Sequence, residues 1–281
     1  MTATARRRKR PDYPLELLWN LTLRELRGKY KRSILGWGWS LLNPLVQLAV
    51  YSAVFGILFK ATPPAGDPSG IHAYSFWLVS GLLAWNFHLN GVMGAIGSLA
   101  GNGNLIRKVY FPRSILPFAT SLSWLVSFAI EIAALIVILA VFQTINLAVL
   151  PLVVVAAVLL MLFSLGLGLL VSAVNVYFRD IEYLTQIALQ VWFFGTPIVY
   201  NEKLLTNPKT GLHYHLLGID VLTIEKLNPM YHFTGLFRTL LYHQTWPTFG
   251  EIGVLVAFTA TSLLVGSIVF RRIEPRMAEE L

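Results

Sequence analysis

The chain has 281 residues, a formal net charge of +8 and a pI near 9.8, yet 56% of its residues are hydrophobic and 13% charged. With a mean hydropathy of +0.63, too few polar side chains remain to coat a soluble core, so lipid is the solvent for most of the chain. There is no cysteine, which excludes a disulfide framework and a thiolate metal site.

The opening run Arg6, Arg7, Arg8, Lys9, Arg10 resembles a nucleic-acid arm when taken alone. Ahead of a membrane bundle it reads instead as an orientation signal that also meets anionic headgroups. Some thirty charge-rich residues precede the first apolar run, which is longer than a signal-peptide core, so the N-terminus is expected to stay uncleaved. Residues 1–32 form one unit, a basic tail leading into an amphipathic interface helix. In that helix Leu15, Leu18, Trp19, Leu23, Leu26 and Tyr30 share a stripe, and Glu16, Asn20, Arg24, Arg27 and Lys31 gather on another face. Pro14 suits the first turn, while Leu17 and Leu21 fall off the apolar stripe.

Residues 33–281 read as a six-span, all-α membrane domain. The first span is predicted at about Ser33 to Phe59, followed by the proline-rich loop 61–71. The second covers His72 to Ala100, the third Ile115 to Phe142 and the fourth Leu150 to Val174. After the charged turn VYFRDIEY comes a fifth at Leu184 to Tyr200, and the sixth runs from Ile252 to Phe270. Between the last two, residues 201–247 form a mixed segment. From Asn228-Pro229 onward, Met230, Phe233, Phe237, Leu240 and Leu241 recur at helical spacing in a stretch too short to span, which predicts a re-entrant or surface helix. If the N-terminus is cytoplasmic, 17 of the 22 basic residues fall on the inner side, which places both ends there.

Several side chains invite chemistry. Tyr51, Phe55 and Phe59 recur every four residues, a spacing that serves either packing or a sugar-stacking track; Trp192, Phe193, Phe194 and Tyr200 cluster in the fifth span. Trp37, Trp39 and Tyr200 fit interfacial belts. Glu131 lies near the middle of the third span, where an ionised, lipid-facing carboxylate costs on the order of 3 kcal/mol. A structural hydrogen bond is expected, with Asn86, His88 and Asn90 as partners at similar depth. His213 and His215 lack a third metal ligand at useful spacing, so no metal site is predicted. Gly97 and Gly101 make a G-x-x-x-G that serves either close helix packing or capping. The sequon Asn20-Leu21-Thr22 lies on the inner side and is discarded. No nucleophile–base motif appears, and the outer acids Glu202, Asp220, Glu225 and Glu251 are scattered, which weakens a membrane glycan enzyme as the alternative. An ion-coupled carrier would need repeated halves with broken polar helices, and Glu131 is the lone candidate.

Four stretches carry a family likeness. RELRGKYKRSILGWGWSLLNPL (24–45), NLIRKVYFPRSILP (104–117), NVYFRDIEYLTQIALQVWFFGTPIVY (175–200) and NPMYHFTGLFRTLLY (228–242) together resemble the membrane subunits of ABC-2-type exporters of O-antigens, teichoic acids and related glycans. The resemblance implies a homodimer in the cytoplasmic (inner) membrane, paired with a separate ABC ATPase that holds the ATP and magnesium. This chain would carry no cofactor and perform no catalysis of its own. It would export a lipid-linked polysaccharide for lipopolysaccharide or cell-wall assembly. The resemblance further implies that the first and fifth spans line the glycan path, which would place Tyr51, Phe55, Phe59, Trp192, Phe193, Phe194 and Tyr200 along it. Arg24, Arg27, Lys31, Arg107, Lys108, Arg179, Asp180 and Glu182 would couple to the ATPase, and Asn228, Pro229 and Arg238 would belong to an outer gate segment. The division of labour has separate support: no G-x-x-x-x-G-K-[ST] loop exists, and Gly28-Lys29-Tyr30 lacks its flanks.

Overall fold

The computed structural model describes residues 13–29, 31, 33–36, 38–59, 66–142, 145–200, 215–216 and 219–280. The basic run 6–10, Tyr30, Trp37, Lys60, Glu202 and His213 therefore lie outside the described residues. Helix α1 is Tyr13–Lys29; α2 is Gly38–Tyr51 and passes directly into a π-helical turn, Ser52–Leu58. Then come α3 (Tyr74–Ala100), short α4 (Gly103–Lys108), α5 (Ile115–Phe142) and α6 (Leu150–Tyr177). Helix α7 is Ile181–Phe194. A two-residue hairpin, β1 (His215–Leu216) against β2 (Ile219–Asp220), and an isolated bridge between Gly66 and Ile71 are the β-type pairings among the described residues. Helices α8 (Val221–Lys226), α9 (Pro229–Arg238), α10 (Phe249–Ile273) and α11 (Met277–Glu280) complete the chain.

Among the described residues, four helical segments are long and apolar enough to cross a membrane: Gly38–Leu58, Ile115–Val141, Leu147–Tyr177 and Phe249–Arg276. Helix α3 has the length, 27 residues, but Ser75, Ser80, Asn86, His88, Asn90 and Ser98 lower its apolarity. It tolerates them because α2, α5, α6, α7 and α9 surround it, so lipid does not meet these groups. The predicted fifth span differs more. Its helix stops at Phe194 after 14 residues, about 21 Å, which falls short of a hydrocarbon core of about 30 Å. Residues 195–200 continue as irregular backbone.

The helices are begun by ordinary local devices. Asn228 accepts from the Met230 amide with Pro229 in the first turn of α9, and Thr248 with Glu251 closes a capping box on α10. Helix α1 packs along α5, and only in part on the predicted stripe. Leu21, Thr22 and Leu26 are buried and Leu17 and Leu18 partly so, whereas Leu15 and Trp19 are exposed. The two leucines that broke the predicted pattern belong to the packing face, because α1 lies against α5.

Helices α6 and α10 pack closest of all. Gly166 and Gly266 face each other so tightly that a Cβ on Gly266 would overlap the Gly166 carbonyl. Gly168 likewise leaves room for Ala95 of α3, 2.7 Å from where its Cβ would stand. The predicted G-x-x-x-G plays no such part: a Cβ on Gly97 would meet nothing, and the Gly101 amide caps α3 by donating to the Gly97 carbonyl.

Candidate substrate path and coupling face

The bundle has a basic end, where α1, α4 and the termini of α3, α5, α6 and α10 meet, and a far end, where α9 folds inward. At the far end the irregular backbone after α7 needs partners, since unpaired carbonyls at membrane depth cost several kcal/mol each. Arg238, the last residue of α9 and 8% exposed, supplies two of them. Its guanidinium donates to the carbonyls of Pro197 and Ile198, both at 2.7 Å, and to that of Trp77 at 3.4 Å, and lies 3.6 Å from the Trp77 ring centroid. Gly81 makes the space, for a Cβ there would stand 2.9 Å from the Arg238 side chain. The Tyr74 hydroxyl donates to the Val199 carbonyl.

Asn228 completes this clamp. Its oxygen accepts from the Trp192 indole at 2.7 Å, and its amide donates to the Gly195 carbonyl at 3.1 Å and the Thr196 hydroxyl at 2.8 Å. Tyr200 donates to the Glu225 carboxylate at 3.0 Å; burial, with that negative charge beside it, pushes the phenol pKa upward. Helix α9 itself is inserted rather than laid on the surface, with Met230, Phe233 and Phe237 fully enclosed by the main core. The structure thus joins Asn228 to Trp192 and Arg238 to the segment after α7, while Tyr200 is held by Glu225 and not by Asn228, Pro229 or Arg238.

The aromatics do not form one track within the protomer. Tyr51 and Phe55 turn inward, and rings step from Tyr51 to Phe55 (6.2 Å), Tyr74 (4.9 Å) and Trp77 (5.4 Å), ending beneath Arg238. Phe59, 5.8 Å from Phe55, stands at the surface. On α7, Trp192 and Phe193 pack against Trp85 of α3 at 6.1 and 5.5 Å, while Phe194 is 68% exposed. Helix α3 stands between the two groups, and among the described residues no ring of one touches a ring of the other.

A polar cavity of about 390 Å³ opens between α2, α3 and α5. Asn43 and Gln47 reach it from α2, Asn86 and Asn90 from α3, and Ser127 and Glu131 from α5, with Trp39 and Trp124 in its walls. Of the partners predicted for Glu131, Asn86 and Asn90 are there, but His88 is not. His88 is fully buried on the other side of α3, 2.8 Å from the Ser164 hydroxyl of α6. Nor does Glu131 make the expected structural hydrogen bond with any described residue; its electrostatic partner is Lys29. The Lys29 ammonium donates to Ser127 at 3.3 Å and sits 3.4 Å over the Trp124 ring. Ser127 lies twelve residues into α5, about 18 Å from Ile115 along the helix, so α1 delivers a charge well inside the bundle. Burial lowers the Lys29 pKa to about 7, against the raising effects of Glu131 and Glu25.

At the basic end, Arg24, Arg27, Lys31, Arg107, Lys108, Arg179, Asp180 and Glu182 are all exposed. Arg24 donates to Asn102 at 2.8 Å and pairs with Glu25 at 2.9 Å, which ties α1 to the α3–α4 turn. Asn175 accepts from the Glu182 amide at 3.0 Å, fixing the turn that carries Arg179 and Asp180. Arg179 and Glu182 line a cleft of about 200 Å³ against Leu99 and Ala100 at the end of α3.

The family model described as "ABC-2 type transporter" matches residues 16–242. The chain belongs to that family. It is 26% identical to the O-antigen export system permease protein RfbA of Myxococcus xanthus over 94% of this chain and 95% of that protein. A relative of the same name from Klebsiella pneumoniae is also 26% identical, over 96% of each. The polysialic acid transport protein KpsM of Escherichia coli is 23% identical over 92% of this chain and 93% of its own. In this ABC-2 chain the match runs from α1 through Tyr242, so the α1 platform, the cavity and the far clamp all fall inside it. Sequence reasoning missed Lys29, whose neighbours Gly28 and Lys31 make it look like one more surface cation; the depth of α1 is a tertiary property with no local signal. Among the described residues no group of three metal-ligating side chains exists.

Proposed function

We propose that this chain is the membrane-spanning subunit of an ATP-driven exporter that carries a lipid-linked polysaccharide outward across the cytoplasmic membrane. Two copies pair with two copies of a separate ATPase, and the basic end, with both termini, faces the cytoplasm. The observation that carries this reading is the full-length match to ABC-2 permeases of surface-glycan export, in a chain without a phosphate-binding loop.

Geometry supports a mechanism. Helix α7 is too short to seal against lipid alone and exposes Tyr183, Leu184, Ile187, Val191 and Phe194, a face suited to a second copy across a shared path. One end of α7 holds the Arg179–Asp180 turn and the other the clamped segment 195–200. A push by the ATPase on the turn is therefore delivered along one rigid rod to the clamp. The enzyme alternative is disfavoured because the described outer acids serve structure: Asp220 caps α8, Glu225 accepts from Tyr200 and Glu251 caps α10.

The test is whether a neighbouring gene encodes a Walker-motif ATPase without membrane spans, and co-expression of this chain with such an ATPase. A stable complex is expected, with glycan-dependent ATP hydrolysis falling by about tenfold in Arg179→Ala/Asp180→Ala, a loss of roughly 1.4 kcal/mol of coupling. ATP hydrolysis or remodelling of a lipid-linked sugar by the isolated chain would overturn the proposal.

A further inference from the structure

The cavity between α2, α3 and α5 has a composition that membrane packing does not explain. A helix junction in lipid is ordinarily filled by small or apolar side chains. Here amides converge from two helices, with a carboxylate from a third. The side chains of Asn43, Gln47 and Asn86 make no hydrogen bond to any described residue, and the Gln47 oxygen is buried without a donor. Groups like these cost free energy unless something in the cavity satisfies them.

The chemistry of the missing occupant can be narrowed. Lys29 and Glu131 sum to zero charge, whether the proton rests on the amine or on the carboxyl, so the site selects neither an anion nor a cation. Amides present donors and acceptors side by side, the pattern that neighbouring hydroxyls match. Trp39 adds an indole wall, and the volume of about 390 Å³ lies within the range of small-ligand pockets. Ser40, Asn43, Pro44 and Gln47 follow a helical stripe that continues to Tyr51 and Phe55, so the cavity opens in line with the aromatic ladder.

We propose that this cavity is a binding site for a neutral, hydroxyl-rich glycosyl unit, held within one protomer by Asn43, Gln47, Asn86, Asn90 and Glu131. The identity of the ligand rests on the glycan-export reading; the site itself does not. Lys29 contacts Ser127 and Trp124 of the cavity wall, so α1, which carries the exposed Arg24 and Arg27, touches the same walls that the sugar would.

The absence of cysteine makes the site directly testable. Asn43→Cys, at the most exposed of the lining amides, places a single thiol in the wall; Ser40→Cys does so with every amide retained. The full-length protein is reconstituted in nanodiscs without sugar detergents and reacted with aminoethyl methanethiosulfonate. Methyl hexosides, methyl 6-deoxyhexosides and methyl N-acetylhexosaminides are tested as protectants at about 100 mM, suited to a weak site with Kd of about 50 mM. At least one glycoside is expected to slow labelling by about threefold, the effect of twofold excess over Kd, and saturably. Glycerol and phosphate are expected not to, and protection should disappear when Gln47→Leu or Asn86→Leu is added. Equal rates with every glycoside would mean a cavity for water alone, an unreactive thiol at both positions a closed one, and protection by phosphate an anion site. Each of these overturns the proposal. Since the assay uses neither ATPase nor export, its failure leaves the export reading standing.

Discussion

Arg238 is the residue whose removal should open the far end. In Arg238→Met the carbonyls of Pro197 and Ile198 lose charge-assisted bonds of 2.7 Å, and the Trp77 ring loses its cation. Each bond to a charged group contributes about 1.5–3 kcal/mol, and a desolvated cation–π contact up to about 2 kcal/mol. Against these stands the cost of burying the guanidinium itself, which methionine does not incur. A net local loss of about 3 kcal/mol follows, equivalent to roughly 150-fold in the opening equilibrium of residues 195–200. Hydrogen exchange in nanodiscs reads this directly, because the amides of Gly195, Thr196 and Ile198 are bonded to Val191, Phe193 and Thr196 in the closed segment. Arg238→Lys offers a point charge able to serve one carbonyl, so acceleration nearer tenfold is expected. The reasoning fails if Arg238→Met exchanges like the wild type at these amides. It also fails if exchange rises equally throughout α3 and α6, since the effect would then be global unfolding rather than release of the clamp.

Two further outcomes test the packing. Gly266→Ala pushes a methyl into the Gly166 carbonyl and must part α6 from α10, so thermal unfolding in detergent should show a loss of about 1–3 kcal/mol or more. Gly253→Ala, on the same helix with nothing within reach of its Cβ, should be neutral or slightly stabilising. Lys29, after reductive ¹³C-methylation and assignment by Lys29→Arg, should titrate by NMR near pH 7, well below the 10.5 of a free lysine side chain. Since Glu131 raises the Lys29 pKa, Glu131→Gln should move that midpoint lower. The fold disfavours the charged amine. From about pH 7 to 10.5 the unfolded chain binds more protons than the folded one, and stability should rise with pH across that window. The rise should shrink in Lys29→Met.

The long helices were legible because lipid imposes a simple demand, some twenty apolar residues in a row, and the predicted third, fourth and sixth spans match α5, α6 and α10 closely. The convergence of Asn86 and Asn90 with Glu131 was legible too, from depth alone, since residues four apart share a helix face. His88 fails the same reasoning by two positions, which carries it to the opposite face and to Ser164. The end of α7 was not legible. GTPIVY is as apolar as a helix interior, and what halts it is Pro197 together with an arginine 41 residues later that satisfies the freed carbonyls. Glycine pairing was equally hidden, since Gly97 and Gly101 have the motif spacing on one helix, whereas the close approach is made between Gly166 and Gly266 on two.

Helix α3 shows why polarity and membrane depth are compatible here. Its side chains are sorted by neighbour. Asn86 and Asn90 face the cavity, His88 meets Ser164 of α6, Tyr74 and the Trp77 carbonyl meet the far clamp, and Ser80 and Ser98 bond back to their own helix. Each of these groups would cost free energy against lipid, so α3 is pinned at the centre by the combined penalty of exposing any face. The least enclosed of the helices around α3 are α2, little of which is buried within the protomer, and α7, where Leu189 is the one buried residue among those described. Motion that leaves the α3 packing against α5 and α6 intact is therefore easiest in α2 and α7. These are the helices that carry Asn43 and Gln47 on one side and the Arg179 turn on the other, so displacement at the basic end and reshaping of the cavity share the same moving parts.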